Sequence, residues 1–311
     1  MKIALGCAGS WGTAVAGLLA DSVDYVAMWA HSPQTAVGIN SNHVNPRYLD
    51  GYRLPDNVTA SSSLQEVIDG AEGVIFAVPS THLRSVAHEA AVYLDDSVPV
   101  LCLTKGVELT SGLLMTEVIG DEIGHPERIA ALSGPNHAEE ICRGGLSAAV
   151  IASEDPEVAE FFKAALISPA FRVYVSPDVV GVEMCGATKN IIAIVCGISA
   201  GSGYGDNTLA LIMTRGLAEI SRLVHARGGD PMTCMGLAGM GDLVATCTSE
   251  HSRNRSFGVA FAGGTSLDEY QQRAHMVVAL ERTLYHGGTL AEALELLRDR
   301  FPTQEFYGMD D

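Results

Sequence analysis

Residues 2–12 read Lys-Ile-Ala-Leu-Gly-Cys-Ala-Gly-Ser-Trp-Gly, and this segment decides the fold class. Its first four residues form a short apolar run that is typical of a buried strand. Residues 13–20 follow with the small-residue, amphipathic composition of a helix. A strand, a glycine turn and a helix in this order predict the first unit of a doubly wound α/β sheet.

The glycine turn has the pattern of a nucleotide-binding loop. Gly9 and Gly12 have the spacing of the last two glycines in Gly-x-Gly-x-x-Gly, which brings the backbone amides of a helix N-terminus close to a pyrophosphate. Cys7 stands at the first glycine position, and Gly6 lies one residue earlier. The segment therefore indicates a dinucleotide site, with a purely structural turn as the alternative.

Apolar runs alternate with helical or loop sequence through the first half of the chain, as in a mostly parallel sheet. We predict strands at 2–5, 25–30, 73–78 and 98–103, with 128–132 and 148–152 extending the sheet and 171–175 pairing at its edge.

The pattern changes to helical periods beyond Asp178. We predict an N-terminal dinucleotide-binding domain over residues 1–177 and an all-helical substrate domain over residues 178–311. The main helices of the second domain are expected at 179–200, 209–226 and 290–300.

Charge and cysteine content limit the classes of ligand. The 311 residues carry a formal net charge of −18, which repels nucleic acid and anionic membranes over most of the surface. An anionic ligand therefore needs a local cationic pocket. The seven cysteines form no CxxC pair, so we expect buried or half-buried thiols rather than a disulfide framework or a metal site.

Two apolar segments bear on the location of the protein. The most apolar stretch, residues 191–201, is much shorter than the roughly 20 residues of a spanning helix. The N-terminal apolar run meets Gly6 and Gly9 too early for a signal peptide. We therefore expect a cytoplasmic protein without stable membrane insertion.

The end of the second strand bears on the choice of cofactor. A site selective for NAD usually places Asp or Glu there, about 20 residues beyond the glycines, to bind the ribose hydroxyls. This sequence has Trp29-Ala30-His31-Ser32 instead. The 2′-phosphate of NADP is then not repelled, and His31 could donate to it; an exposed loop histidine is the alternative.

Several segments combine glycines with reactive polar groups, as phosphate and carbonyl sites do. Lys189 is the most notable of these groups, because its neighbours Ala187, Ile191 and Ile192 are apolar. Burial of a charged lysine is costly without a partner, and burial favours the neutral form that proton transfer requires. Taken singly, each lysine or arginine is also compatible with an exposed surface residue.

Seven motifs together resemble the bacterial NAD(P)-dependent glycerol-3-phosphate dehydrogenases. They follow in order across residues 1 to 278, and several are long enough to be specific to this family. The motifs are residues 9–14, 104–106, 133–135, 186–190, 203–207, 239–243 and 252–255.

The resemblance implies a Rossmann-like N-terminal domain and an enzyme that interconverts dihydroxyacetone phosphate and sn-glycerol 3-phosphate. NADP or NAD carries the hydride, the product supplies phospholipid synthesis, and no metal is required. The substrate is a small phosphorylated molecule, and the resemblance leaves a homodimer open.

Position by position, the resemblance implies roles for individual residues. Lys189 matches the proton donor and acceptor at the substrate C2 oxygen, and Lys105 matches a residue that touches both substrate and cofactor. The polar shell of the catalytic group is completed by Asn190, Asp242 and Thr246. Other substrate contacts are Gly134, Asn136, Ser252, Arg253 and Asn254. Cofactor contacts are Gly9, Ser10, Trp11, Gly12, His31, Lys105, Ala138 and Arg253.

The sequence departs from the family pattern at three places. Cys7 replaces the first fingerprint glycine, and Ser32 stands where a basic residue often follows His31. After Val278 the chain lacks the expected Glu-Gly-Val, which indicates an internal deletion and the loss of a glutamate that normally reaches the cofactor. These departures motivate one alternative, a catalytically impaired nucleotide-binding regulatory paralogue. A second alternative is another two-domain hydroxyacid dehydrogenase.

Overall fold

The computed structural model describes residues 1–266. The predicted helix at 290–300 and the shortened segment after Val278 lie outside the described residues. Contacts along the chain divide it into two compact units, Met1–Ala187 and Thr188–Asp311. The division by contacts falls within the helix Val179–Gly201, whereas the sequence predicts a domain boundary before that helix, after residue 177. The predicted domain boundary stays a prediction.

The first unit contains one eight-stranded sheet in the order β3-β2-β1-β4-β5-β6-β7-β8. All neighbouring strands are parallel except β6 and β7, which are antiparallel. The strands are β1 (Lys2–Leu5), β2 (Tyr25–Trp29), β3 (Val58–Ser61), β4 (Gly73–Phe76), β5 (Val100–Cys102), β6 (Ile129–Ser133), β7 (Ser147–Ala152) and β8 (Phe171–Ser176).

Eleven α-helices lie within residues 1–266, seven of them before the end of β8. The helices of that first group are α1 (Ser10–Ala20), α2 (Pro33–Asn42), α3 (Leu64–Ile68), α4 (Ser80–Ala91), α5 (Met115–Ile123), α6 (Ala138–Cys142) and α7 (Pro156–Leu166). They are followed by α8 (Val179–Gly201), α9 (Asp206–Ala226), α10 (Asp242–Thr248) and α11 (Arg253–Ala262).

Alternation along the strands divides the core between the two faces of the sheet. Ile3 and Leu5 belong to a cluster with apolar residues of α1, α2, α6 and α7. Ala4 points to the opposite face and joins a cluster with residues of α3, α4 and α5. Helices therefore cover both faces, which confirms the predicted doubly wound architecture.

One strand, β3, was not predicted from the sequence. β3 (Val58–Ser61) reads Val-Thr-Ala-Ser, and only Val58 and Ala60 are buried. The strand lies at the edge of the sheet and pairs with β2 alone. A short edge strand that is half polar has too weak an apolar signal to be recognised without its partner.

Two helices of the second unit cross at very short range. A Cβ added to Gly197 of α8 would lie 2.0 Å from the carbonyl oxygen of Arg255 in α11. A Cβ added to Gly258 of α11 would lie 2.2 Å from the carbonyl oxygen of Ile194 in α8. Any side chain at either position would force the helices apart, so these glycines set the distance between α8 and α11.

Helix α8 is longer than the apolar stretch that the sequence suggested. Its 23 residues are long and apolar enough, by length and composition alone, to cross a membrane. Of its most apolar window, 56% is buried inside the protein, and the core helix of a soluble protein meets the same criterion. The helix is thus weak evidence for a membrane span.

Candidate active site

The glycine turn lies at the point where the strand order reverses. β1 has β2 on one side and β4 on the other, so successive crossovers diverge at its carboxyl end. The Gly6 amide donates to the carbonyl oxygen of Ile75 at 2.7 Å, which ties the start of the turn to β4. In open α/β sheets this reversal point is where ligands bind.

Gly12 allows the turn to close against helix α1. A Cβ at Gly12 would lie 2.2 Å from the carbonyl oxygen of Cys7, so no other residue fits there. Gly9 caps the helix without a side-chain hydrogen bond, and the first turn contains no acidic residue. The amides at this end of the helix thus retain the positive electrostatic potential that favours an anion.

Cys7 is accommodated in the turn. It is not among the residues with positive φ, and its Sγ accepts a hydrogen bond from the Gly9 amide at 3.2 Å. Burial raises the pKa of the Cys7 thiol. Cysteine in place of the first fingerprint glycine therefore places a thiol against the Gly9 amide, and the turn still leads into α1.

His31 lies just beyond β2 and its side chain is exposed. Its ring meets Trp29 edge-on, with ring centroids 6.0 Å apart. Ser32 caps helix α2, and its hydroxyl donates to the Gln34 side chain at 2.8 Å. Residues 29–32 at the end of β2 therefore carry no carboxylate, and the cofactor contact of His31 stays a prediction.

Lys105 lies after β5 and extends toward the carboxyl end of β6. Its Nζ donates to the carbonyl oxygen of Gly134 at 3.3 Å. Gly134 has φ 152°, and a Cβ there would lie 2.7 Å from the carbonyl oxygen of Ala148. Asn136 donates to the same oxygen at 3.3 Å, while Ala138 begins α6 and is buried. The first unit thus brings together Lys105, Gly134 and Asn136.

Lys189, Asp242 and Thr246 form one buried cluster in the second unit, called here the Lys189 cluster. Lys189 is 7% exposed, and its Nζ donates to Oδ1 of Asp242 and, at 2.8 Å, to Oγ1 of Thr246. The Thr246 hydroxyl donates in turn to the Asp242 carbonyl oxygen at 2.6 Å. The charged partner that a buried lysine needs is therefore Asp242, and Thr246 holds both.

A turn of π-helix delivers Asp242 to the lysine. Residues Leu237–Gly241 form this turn directly before α10, and the Gly241 amide donates to the Gly236 carbonyl oxygen at 3.1 Å. A Cβ at Gly239 would lie 2.1 Å from the carbonyl oxygen of Cys234. The glycines of this motif thus permit a tight backbone path, and π-turns are frequent at functional sites.

The close crossing of α8 and α11 brings the remaining polar residues of the second unit together. Ser252 caps α11 and accepts from the Arg255 amide at 3.3 Å. Asn254 donates to Oδ1 of Asn190 at 2.8 Å. Arg253 is the first residue of α11 and is exposed, so its cationic head lies at the positive end of a helix.

Glu183 was missed by the sequence reasoning, although it lies only six residues before Lys189. Its carboxylate is 6% exposed and accepts from the Thr116 amide at 3.0 Å and from the Thr116 hydroxyl. Burial raises the pKa of Glu183 to about 7. An acidic residue amid the apolar sequence of α8 was the available signal, but its partner is 67 residues away.

The raised pKa of Glu183 predicts a specific pH dependence of stability. Because the folded protein binds this proton more tightly than the unfolded chain, the contribution is fully present below about pH 4.5 and is lost as the pH rises through about 7. Urea unfolding at pH 5 and pH 8 should therefore give a free energy of unfolding that falls by on the order of 2 kcal/mol more in the wild type than in Glu183→Gln. Glu160→Gln, at an exposed carboxylate paired with Lys163, should keep the wild-type difference. Equal pH dependence in wild type and Glu183→Gln would contradict the prediction.

Two further expectations concern metals and thiols. Within residues 1–266, no three His, Cys, Asp or Glu side chains are grouped so that they could hold a metal ion. The predicted independence of metals stays a prediction. The seven cysteines are free and are buried or half-buried, which confirms the expected thiols.

Comparisons with known proteins relate both units to one family. The family model for the N-terminus of NAD-dependent glycerol-3-phosphate dehydrogenase matches residues 2–159, and the model for its C-terminus matches residues 178–302. The chain is 46% identical over 280 residues to glycerol-3-phosphate dehydrogenase [NAD(P)+] of Chlorobium phaeobacteroides, covering 89% of this chain and 84% of that protein. It is 41% identical over 298 residues to the protein of that name from Shouchella clausii, covering 95% and 88%.

A solved structure agrees with these matches. The crystal structure of glycerol-3-phosphate dehydrogenase from Coxiella burnetii has a TM-score of 0.88 and 34% sequence identity, covering 96% of this chain and 99% of that chain. None of these matches supports the alternative of a catalytically impaired paralogue. Since the two family models together match most of the chain, the protein belongs to the NAD-dependent glycerol-3-phosphate dehydrogenase family.

Proposed function

We propose that this protein interconverts dihydroxyacetone phosphate and sn-glycerol 3-phosphate with NADP or NAD, and thereby supplies glycerol phosphate for phospholipid synthesis. The observation that carries the proposal is the Lys189 cluster, in which a buried ammonium group is held by a carboxylate and a hydroxyl. Reduction of a ketone needs a proton at its oxygen, and this cluster is built to hold one.

The dinucleotide fits the residues of the first unit. Gly12 leaves space that a Cβ would fill, and the N-terminus of α1 carries no acidic side chain in its first turn. Ser10, Trp11, Gly9 and Gly12 would hold the pyrophosphate end. When bound, the cofactor supplies the hydride that reaches C2 of the substrate. Further cofactor contacts are proposed for His31, Lys105, Ala138 and Arg253.

Lys189 is the proposed proton donor in reduction and acceptor in oxidation. As negative charge develops on the C2 oxygen, the ammonium group stabilises it and transfers a proton, which leaves the neutral amine. Asp242 holds the ammonium group in its charged form before transfer. Thr246 bonds to both residues and restricts the orientation of the lysine side chain. Asn190, which directly follows Lys189 in α8, completes the proposed polar shell.

The phosphate of the substrate is the proposed ligand of Arg253. A guanidinium can donate two parallel hydrogen bonds to a phosphate, and the N-terminus of α11 adds a favourable dipole. Ser252, which caps α11, and Asn254 flank Arg253 in the chain, and Asn254 is oriented by its hydrogen bond to Asn190. Lys105, Gly134 and Asn136 are the proposed substrate contacts of the first unit.

The proposal extends to domains, location and assembly. Residues 1–177 are the proposed dinucleotide-binding domain, and residues 178–311, shortened after Val278, the proposed substrate domain. We propose a soluble cytoplasmic enzyme. Membrane insertion is not expected, because 56% of the most apolar window of α8 is buried and the helix carries the Lys189 ion pair. A homodimer is its proposed assembly.

Cofactor oxidation at 340 nm tests the proposed activity. Dihydroxyacetone phosphate should support oxidation of NADPH at a rate at least equal to that of NADH, because neither His31 nor Ser32 repels the 2′-phosphate. Unphosphorylated dihydroxyacetone should be a far poorer substrate at the same concentration. Equal rates with the two ketones would contradict the substrate assignment. A strong preference for NADH would show that a carboxylate reaches the ribose.

A further inference from the structure

The loop between α2 and β3 closes on itself and reaches the glycine turn. Its base is formed by an antiparallel bridge between Val44 and Arg53 and by a hydrogen bond of 2.7 Å from the Leu54 amide to the His43 carbonyl oxygen. Near this base lies Asn45, which is only 4% exposed. None of the motifs recognised in the sequence includes this residue.

The Asn45 side chain is hydrogen-bonded to the glycine turn and to the first turn of α1. Its Nδ2 donates to the Ala8 carbonyl oxygen at 2.9 Å and to Oγ1 of Thr13 at 2.8 Å. Its Oδ1 accepts from the Arg47 amide at 3.0 Å. The side-chain NH₂ group of Asn45 therefore donates to the glycine turn and to α1, and its side-chain oxygen accepts from the backbone of its own loop.

Thr13 continues this network into the backbone of the turn. The Thr13 hydroxyl accepts from Asn45 and donates to the Gly9 carbonyl oxygen at 2.8 Å, the same oxygen that accepts from the Thr13 amide at 2.9 Å. Thr13 is fully buried. Two consecutive carbonyl groups, those of Ala8 and Gly9, are thus held by side chains from inside the protein.

The planarity of the peptide bond gives this arrangement a functional consequence. In a trans peptide the N–H group of a residue points opposite to the carbonyl group of the residue before it. Holding the Gly9 carbonyl toward Thr13 therefore directs the Ser10 amide away from Thr13. The Ala8 carbonyl, held by Asn45, fixes in the same way the plane of the Gly9 amide, which donates to Cys7.

We propose that Asn45 is a positioning residue for the dinucleotide: through Thr13 it holds the peptide plane that carries the Ser10 amide, at the end of α1 that would bind the pyrophosphate. The inference rests on the proposed function, because it requires that the turn bind NADP or NAD. Asn45 acts on affinity for the cofactor and leaves the chemistry at the Lys189 cluster unchanged.

Asn40 provides a matched control in the same unit. Its side-chain amide also bonds twice to backbone, donating to the Ala60 carbonyl oxygen and accepting from the Ala60 amide, each at 2.8 Å. These bonds tie α2 to the edge strand β3 and do not include the glycine turn. Loss of Asn40 therefore removes a comparable pair of hydrogen bonds without releasing the Ala8 and Gly9 carbonyl groups.

Calorimetric titration of NADPH into the full-length variants tests the inference. Asn45→Ala and Thr13→Val should each raise the Kd about tenfold, and the double variant should be little weaker than either single one, since both act on one network. Asn40→Ala should bind as the wild type does. In steady-state assays Asn45→Ala should raise the KM for NADPH and leave kcat within about twofold, as expected for lost ground-state binding.

The titration separates failure of the role proposed for Asn45 from failure of the proposed dehydrogenase function. Wild-type Kd values in both Asn45→Ala and Thr13→Val would overturn the role of Asn45 while leaving the dehydrogenase proposal intact. An equal loss in Asn40→Ala would show a general structural effect and would also overturn it. If Asn45→Ala fails to fold, the nearly isosteric Thr13→Val decides. A wild-type protein that binds no NADPH would overturn both proposals.

Discussion

Replacement of Lys189 by methionine is expected to lower kcat for dihydroxyacetone phosphate by roughly a thousandfold, since a positioned proton donor contributes on the order of 10²–10⁴ in rate. Methionine is similar in length to lysine and is apolar. It therefore fills the same buried space but has no proton to donate to the substrate. The Kd for NADPH, measured by titration, should change little, because the glycine turn belongs to the other unit. An unchanged kcat would contradict the assignment of Lys189.

The ion pair with Asp242 requires a control for stability. Removing one member of a buried pair leaves an uncompensated charge and costs about 3–5 kcal/mol in the free energy of unfolding. The double variant Lys189→Met, Asp242→Asn removes that charge and should regain part of this stability while staying inactive. Lys163→Met, at a surface lysine paired with Glu160, should retain wild-type kcat and melting temperature. Recovery of activity in the double variant would show that Lys189 has a structural role only.

Replacement of Arg253 by alanine is expected to raise the KM for dihydroxyacetone phosphate by about a hundredfold, because each charge-assisted hydrogen bond to an anion contributes about 1.5–3 kcal/mol. Activity with unphosphorylated dihydroxyacetone should change much less, since that ketone has no phosphate to bind. Initial rates over a range of each ketone concentration, at saturating NADPH, measure both effects. Equal losses on the two substrates would argue that Arg253 is structural.

Two further variants separate geometry from charge at Arg253. Arg253→Lys keeps the positive charge and loses the bidentate fork, so its KM should lie between those of wild type and Arg253→Ala. Arg222→Ala removes an arginine from α9 in the same unit, where it pairs with Glu219. It should leave the KM unchanged, because the phosphate is held by a local contact with Arg253 and not by the general charge of the protein, which is −18.

The sequence predicted the central strands well because their signals are local. β1, β2, β4 and β5 each lie within a predicted apolar run, and each run ends at a glycine, a proline or a polar residue. The helices α8 and α9 were predicted nearly in full from their helical period. β3 was missed, because its four residues become a strand only through pairing with β2 at the edge of the sheet.

The candidate site was predictable only in part. Motifs marked Lys105, Lys189, Asp242 and Arg253 as polar groups near glycines, since such segments differ from ordinary core or surface sequence. No local pattern indicated that Asn45 bonds to the glycine turn, because asparagine in a loop usually serves the turn in which it lies. The buried amide was recognisable only from its hydrogen bonds to Ala8 and Thr13.

What the sequence determined by itself is the order of the central strands, the doubly wound class and the helical periods of α8 and α9. These depend on the period of apolar residues, which acts over a few residues. What only the tertiary structure decided is the choice of partners. Lys189 meets Asp242 across 53 residues and Glu183 meets Thr116 across 67. Desolvation, not sequence proximity, requires such pairs: a buried charge must find a partner, and the packing of distant helices determines which one it finds.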